Sequence, residues 1–254
     1  MHLLFVFAHQ DDEVAMATRI LDALRRGDLV TCVYLTNGAT RRAPAHVRDQ
    51  ESREVLQRLG VDLERVHFIG SQHGIADGRL HQHLHDALQL LEARVPEPVD
   101  EIVTLAWEGG HHDHDATHAV AVRFAHGRGM AGKVYEMPMY HGHRLPGPLF
   151  RTLTPLRVGG EWTARPIRFR DGLRIALLCR FYRSQRKTWL GLLPEALLRL
   201  ALGRKEWSRR VDAAVVHARP HEGPLFYERR FRVSYDEVAE RIAEFLQQSQ
   251  SGRR

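Results

Sequence analysis

The sequence predicts an α/β protein whose mostly parallel sheet carries helices on both faces, followed by a less regular C-terminal portion. Apolar stretches of strand length alternate with helical segments of about ten residues through the first half of the chain. The stretch at residues 3–7 is apolar at every position, which is typical of a strand buried on both faces of a parallel sheet. Beyond residue 130 the alternation weakens.

Each element follows from a local pattern, with glycine or proline after most helices. In chain order the sequence predicts strand 3–7, helix 14–26, strand 29–35, helix 49–59, strand 66–69, helix 84–94, strand 101–106, helix 116–126, strand 133–139 and a terminal helix at 235–247. Ser234 and Glu237 have the spacing of a capping box for the last helix. The alternation is Rossmann-like, and ligands bind such sheets beyond the carboxyl ends of the strands.

Composition narrows the class of protein. The chain has 254 residues, is 43% hydrophobic and carries a net charge of +6 that is concentrated at residues 165–210. A basic face attracts acidic substrates, membrane surfaces or nucleic acid, but no helix-turn-helix, zinc-finger or RNA-recognition motif occurs, so we expect no nucleic-acid partner. Two cysteines exclude a thiolate metal site. With no basic leader and no membrane-span-length apolar stretch, we expect a cytoplasmic protein.

Two polar motifs follow predicted strands about a hundred residues apart. Residues 8–13 read AHQDDE and residues 109–115 read GGHHDHD. His9 and Asp12 are three positions apart, as are two histidines of the second motif, so each pair can converge on one ion. Imidazole and carboxylate ligands suit Zn²⁺, with Fe²⁺ or another divalent metal as an alternative. Three ligands leave a position for water, whose proton Asp11 or another carboxylate would take.

Each motif alone has a plainer interpretation. Asp11 and Asp12 are good helix N-cap residues, and acidic side chains suit a helix N-terminus. Residues 111–114 alone are compatible with a surface loop. Two such motifs at the ends of strands favour a metal site over both alternatives.

The paired motifs resemble those of the PIG-L/LmbE-like family of zinc-dependent N-acetylglucosamine N-deacetylases. The family's first motif reads Ala-His-Pro-Asp-Asp-Glu and its second reads His-Pro-Asp-His, and the resemblance covers about residues 3–125. Gln10 and His112 stand where the family has proline. Because proline supplies rigidity and no ligand, we expect stiffness to change and the chemistry to be kept.

The resemblance implies a role for each motif residue. His9, Asp12 and His114 would be the zinc ligands, and Asp11 would be the general base. Two further roles follow the second motif: His111 would stabilise the oxyanion or protonate the leaving amine, and Asp113 would orient a neighbouring histidine. Whether His112 exchanges roles with His111 stays open.

Substrate contacts are expected around the same rim. Arg48 falls in an Arg-x-x-Glu pattern and is a candidate for holding a substrate hydroxyl or phosphate, the alternative being an exposed ion pair with Glu51. Asn37 is either a pocket residue or a simple turn residue. Some relatives place a tyrosine before the second motif; here Trp107 or Tyr140 would have to supply that ring.

The resemblance implies a zinc-dependent hydrolase that removes the N-acetyl group from an N-acetylated amino sugar, N-acetylglucosamine above all, in a glycoconjugate. The alternative is a metal-dependent amidase acting on another amide, such as a thiol conjugate. We expect one domain over residues 1–254, with the metal site in a core at 1–130 and a substrate-shaping portion at 131–254. Transient contact of the leucine-rich segment 189–207 with a membrane surface, and homo-oligomerisation, stay open.

Overall fold

A computed structural model of the chain describes residues 1–41, 43–157, 160–186, 205–211 and 218–247. The strands are β1 His2–Phe7, β2 Leu29–Tyr34, β3 Val66–His67, β4 Glu101–Leu105, β5 Val134–Met137, β6 Tyr140–His141, β7 Arg151–Thr152, β8 Thr163–Pro166 and β9 Lys205–Arg210. The α-helices are α1 Glu13–Arg25, α2 Ala45–Leu59, α3 Ile69–His73, α4 Leu84–Arg94, α5 His112–Gly127, α6 Phe169–Leu178, α7 Phe226–Phe231 and α8 Tyr235–Gln247.

Seven strands form one sheet in the order β3-β2-β1-β4-β5-β9-β8. The first five are parallel, and β9 and β8 are added antiparallel at one edge. Strands β6 and β7 pair separately. The predicted fold class, a mostly parallel sheet with a less regular C-terminal portion, is confirmed.

The fully buried strand β1 shows how helices cover both faces. Leu3, Phe5 and Phe7 pack into a core with side chains of α1, α2 and α6, whereas Leu4 and Val6 pack into a second core with α4, α5 and α8. Because successive side chains of a strand point to opposite faces, an unbroken apolar run is what such a central strand requires.

The sheet order places the two motifs side by side. Strands β1 and β4 are neighbours, and the chain continues from β1 toward β2 on one side and from β4 toward β5 on the other. This reversal of strand order opens a crevice beyond the carboxyl ends of the strands. Residues 8–13 follow β1 and residues 109–115 follow β4, so both motifs line that crevice.

Four predicted boundaries were wrong by two residues or more. Strand β3 ends at His67 and not at residue 69, and β5 ends at Met137 and not at residue 139. Helix α2 begins at Ala45 and not at residue 49, and α5 begins at His112 and not at residue 116. The second motif is therefore helical from its fourth residue. Its histidines and aspartates have weak helix propensity, which favoured a loop, but Asp113 and Asp115 interact well with the positive end of the helix dipole.

Residues after 180 contact the N-terminal half through α2. The Glu51 carboxylate accepts hydrogen bonds from the Ser184 backbone N–H at 2.8 Å and from its hydroxyl at 2.6 Å. Glu51 is therefore engaged with Ser184, and Arg48 is buried; the exposed ion pair considered for these two residues was wrong. The segment 189–207 lies outside the described residues up to residue 204. Among the described helices, none is long and apolar enough to cross a membrane.

Candidate metal centre

The first motif forms a turn that is closed by one of its own side chains. Asp12 Oδ2 accepts hydrogen bonds from the backbone N–H groups of Ala8 and His9, at 3.0 and 2.7 Å. Asp12 occupies the N-cap position of α1, but its side chain makes no capping hydrogen bond to that helix. The N-cap interpretation of Asp12 is therefore wrong: the carboxylate faces back toward the end of β1.

Asp11 is held in an unfavourable backbone conformation. Its φ of 118° lies in the region that glycine tolerates and other residues rarely adopt. Arg48 Nη2 lies 3.1 Å from Asp11 Oδ1. Burial raises the pKa of the Asp11 carboxyl to about 7, although the Arg48 charge opposes the rise. Strained residues of this kind cluster at functional sites.

The potential ligands of the second motif lie at the N-terminus of helix α5. His111 is the N-cap of α5, and its Nδ1 accepts the Asp113 backbone N–H at 3.1 Å. His114 stands one turn along the helix, with Nε2 3.3 Å from Asp12 Oδ1. Burial would raise the pKa of the Asp12 carboxyl, but His114 and His9 hold it at about 2. Asp12 is therefore an anionic donor between the two motifs.

His9, Asp12 and His114 are buried and bring one potential ligand atom each to within 4.8 Å of one another. We call these three residues the metal triad. Two imidazoles and a carboxylate form a donor set that suits Zn²⁺ or Fe²⁺. His114 Nδ1 is buried without a hydrogen-bond partner among the described residues. The residues present thus fit a divalent metal, and the predicted ligands do lie together.

Asp113 lies behind His9. Its Oδ2 is 3.2 Å from His9 Nε2, and it also accepts the Gly78 backbone N–H at 2.6 Å. Burial raises the pKa of a carboxyl, but His9 and the neighbouring histidines hold the pKa of Asp113 well below its usual value. A carboxylate that faces the second nitrogen of a ligating histidine fixes the ring. Asp113 has the contact expected of an orienting residue.

Asp77 was not identified from the sequence. Its Oδ1 lies 3.2 Å from His9 Nε2 and 3.9 Å from His111 Nε2, and its Oδ2 lies 4.0 Å from Arg48 Nη1. Burial tends to raise its pKa, but His9 lowers it to about 2. A lone aspartate in the loop before Gly78 belongs to no pattern, so sequence reasoning had no signal for it. It adds negative charge to the crevice, as a bound cation requires.

His111 and His112 occupy different surroundings although their rings stack, with centroids 4.5 Å apart. The His111 ring packs edge-on to His9, with centroids 4.6 Å apart. His112 Nε2 instead lies 3.0 Å from the Gly78 carbonyl oxygen, and its ring approaches Tyr227. Burial and the His9 charge hold the pKa of His111 well below its usual value. His111 therefore lies beside the triad as a neutral ring, and His112 lies on its far side.

Arg48 and Asn37 are both engaged with backbone. Arg48 donates to the carbonyl oxygens of Gly38, at 2.6 Å, and Gln10. Asn37 Oδ1 accepts the backbone N–H groups of Ala39 at 2.9 Å and Asp77 at 3.2 Å. These contacts tie neighbouring loops to the rim of the crevice, and they place Arg48 directly behind Asp11.

Tyr140 packs against His114 of the triad, whereas Trp107 is engaged elsewhere. The Tyr140 ring is 5.3 Å from that of His114, whereas Trp107 is buried and donates its indole N–H to the Ala218 carbonyl oxygen. A Cβ atom on Gly110 would lie 2.0 Å from the Tyr140 carbonyl oxygen. Glycine in the second motif therefore permits the close approach of the strand that carries Tyr140.

A groove of about 1080 Å³ lies next to Tyr140. It is lined by residues 141–145, 151, 154–157, 219–224 and 229, which we call the basic groove. Its arginines are Arg144, Arg151, Arg157, Arg219 and Arg229. Arg219 pairs with Glu228, whereas Arg144, Arg151 and Arg157 make no ion pair within the described ranges. The groove is therefore cationic, and the second half of the chain builds it.

Solved structures of similar fold include several deacetylases. The zinc-inhibited form of teicoplanin deacetylase covers 84% of this chain and 100% of its own, at 17% identity and a TM-score of 0.62. The A40926 pseudoaglycone deacetylase covers 83% and 98%, at 19% identity and a TM-score of 0.60. The N,N′-diacetylchitobiose deacetylase of Pyrococcus horikoshii covers 87% of each chain, at 19% identity and a TM-score of 0.57. At these identities the likeness shows the fold.

Curated protein sequences give no significant match. The family model described as PIG-L, GlcNAc-PI de-N-acetylase, matches residues 4–125, which carry both motifs and every member of the metal triad. The resemblance stated from the motifs alone is thereby confirmed. Over these residues the chain matches the PIG-L family model.

Proposed function

We propose that the chain is a metal-dependent hydrolase that removes the acetyl group from an N-acetylated amino sugar, such as N-acetylglucosamine, within a glycoconjugate. The observation that carries the proposal is the buried metal triad with Asp11 adjacent to it in the chain. The family match and the deacetylase neighbours support cleavage of an N-acetyl amide. The products would be acetate and a free amine.

Each site residue has a definite task in this reaction. A divalent metal held by the triad supplies Lewis acidity toward the amide carbonyl and toward water. Asp11 takes a proton from the attacking water, and Arg48 holds its carboxylate in place. Because His111 Nδ1 accepts the Asp113 N–H, the proton of this neutral ring is on Nε2. That N–H can donate to the oxyanion or to the leaving nitrogen.

The substrate is proposed to be larger than a single sugar. Tyr140, Phe150 and Phe226 form an aromatic cluster with ring centroids 5.3–5.8 Å apart, next to His114. The basic groove continues from this cluster and is large enough for the remainder of a conjugate. We therefore assign the chemistry to the core at residues 1–130 and substrate selection to residues 131–254.

Acetate release tests the proposal. A panel of N-acetylglucosamine conjugates is incubated with the wild type, Asp11→Ala and a control, Asp86→Ala, which removes an exposed carboxylate of α4. We expect acetate from the wild type and the control, and a loss of at least about 100-fold in Asp11→Ala with bound metal retained. Metal without acetate from any conjugate would favour the alternative, another amide such as a thiol conjugate. Absence of metal from every preparation would contradict the triad.

A further inference from the structure

A second histidine–carboxylate cluster lies beside the metal triad. His81, His112 and Asp113 are buried, and one potential ligand atom from each lies within 4.8 Å of the others. The two imidazole rings meet at 77° with centroids 5.3 Å apart. The cluster uses no member of the triad, and the reaction proposed above gives no task to His81 or His112.

Each of the two histidines has its Nε2 atom against a polar neighbour. His112 Nε2 lies 3.0 Å from the Gly78 carbonyl oxygen, and His81 Nε2 lies 3.5 Å from the Glu237 carboxylate and 3.4 Å from the Gln82 amide. The Nδ1 atom of each ring is buried without a hydrogen-bond partner among the described residues. Ligating histidines keep one nitrogen against an oxygen and present the other to the metal. The His112 ring shows this division, and its Nε2 also lies 3.9 Å from Asp113 Oδ1. The His81 ring likewise leaves Nδ1 unpartnered among the described residues, while its Nε2 meets a nitrogen of Gln82 and the Glu237 carboxylate.

Asp113 has an acceptor site to spare for a second ion. Its Oδ1 accepts the Leu80 backbone N–H at 3.0 Å, while Oδ2 accepts the Gly78 N–H and faces His9. Because a carboxylate oxygen has about two lone-pair positions, Oδ1 keeps one of them. The carboxylate can therefore hold His9 with one oxygen and serve the second cluster with the other.

We propose that His81, His112 and Asp113 form a second divalent-metal site. Two imidazoles and a carboxylate suit Zn²⁺, Co²⁺ or Ni²⁺. The site depends on His112, which stands where the family's second motif has proline, so it belongs to this chain's own sequence. An ion bound here would share the Asp113 carboxylate, whose other oxygen contacts His9 of the metal triad.

Metal stoichiometry tests the second site without relying on activity. The full chain is stripped of metal and titrated with Co²⁺, and the bound metal is counted by absorbance and by elemental analysis after gel filtration. We expect two ions per chain in the wild type and one in both His81→Gln and His112→Pro. Proline is well tolerated at the first position of a helix, where His112 stands, so this variant should fold. His83→Gln, which changes a partly exposed neighbouring histidine, should keep two.

His9→Gln separates this proposal from the proposed function. It should remove the ion of the triad and leave one, and combining it with His81→Gln should leave none. A single wild-type ion that survives His81→Gln and His112→Pro but is lost in His9→Gln would overturn the second site and leave the triad intact. A single ion with the opposite dependence would overturn the triad and support the second site.

Discussion

The two motifs supply ligand atoms to one candidate metal centre from different backbone conformations. The first is an irregular turn in which the Asp12 carboxylate binds the backbone N–H groups of Ala8 and His9. The second is the start of a regular helix, capped by His111, on which His114 projects after one turn. A substitution in the first motif therefore changes the backbone and the donor set together, whereas one in the second changes mainly a donor.

Asp12→Ala and His114→Ala test this difference most directly. Both should lose the metal and the proposed activity. Asp12→Ala should also leave two buried N–H groups without an acceptor, and so lower the free energy of unfolding by about 2 kcal/mol more than His114→Ala does. Urea unfolding of the metal-free proteins measures the gap. Equal destabilisation would mean that the first turn does not depend on its carboxylate.

Arg48→Lys tests whether the position of Asp11 in the first motif depends on the Arg48 guanidinium. Lysine cannot reproduce a guanidinium that binds two carbonyl oxygens and Asp11 together. We expect kcat to fall by about 10- to 100-fold with KM nearly unchanged, because Asp11, the proposed general base, is displaced. Steady-state kinetics on the best conjugate decides. A rise in KM alone would instead make Arg48 a substrate-binding residue, the role first expected of it.

Glu108→Gln tests how the buried Glu108 carboxyl, which binds the backbone at the start of β6, contributes to stability. Glu108 accepts the Met139 and Tyr140 backbone N–H groups, and burial raises the pKa of its carboxyl from 4.5 to about 8. Between these values the folded state binds more protons, so the free energy of unfolding falls as pH rises, by at most about 1.4 kcal/mol per pH unit from this group.

A glutamine side chain cannot ionise, so Glu108→Gln should flatten the decline between about pH 5 and pH 8. Denaturant unfolding at a series of pH values measures the slope. Glu64→Gln, which changes an exposed glutamate, serves as the control and should follow the wild type. An identical slope in Glu108→Gln and the wild type would show that Glu108 is ionised throughout.

The smallest expected effect on stability separates the backbone strain at Asp11 from the role of its carboxylate. Glycine accepts the φ of 118° at little cost, whereas alanine does not. Asp11→Gly should therefore be more stable than Asp11→Ala by about 1 kcal/mol, although both lack the carboxylate and should be inactive. Thermal unfolding of the pair makes the comparison. If Asp11→Ala were as stable, the turn would relax once the aspartate is removed.

Sequence reasoning predicted the parts that repeat or belong to a motif. The apolar run of β1 and the alternation of strands with helices indicated the parallel sheet. The resemblance of the two motifs to a known family implied His9, Asp12 and His114 as ligands, and the structure brings these three residues together. Asp77 was missed because it comes from a loop far along the chain. Its position depends on how residues 74–79 fold over the crevice, which no local pattern encodes.

Burial was the other quantity that the sequence did not reveal. Arg48 was weighed as an exposed partner of Glu51, but it is enclosed by backbone carbonyl groups, and Glu51 binds Ser184 in the other half of the chain. The surroundings of both residues depend on contacts between distant parts of the chain, which a local sequence pattern does not encode. The start of α5 was misplaced for a related reason: the cap at His111 and the acidic first turn offset a weak helix propensity.

The separation of the basic groove from the metal triad has a consequence for evolution. Every triad residue precedes residue 115, and every residue that lines the groove follows residue 140. A mutation that reshapes the groove leaves the triad and Asp11 in place. Descendants of this chain can therefore change the shape and charge of the groove through one half of the gene while selection preserves the donor set encoded in the other half.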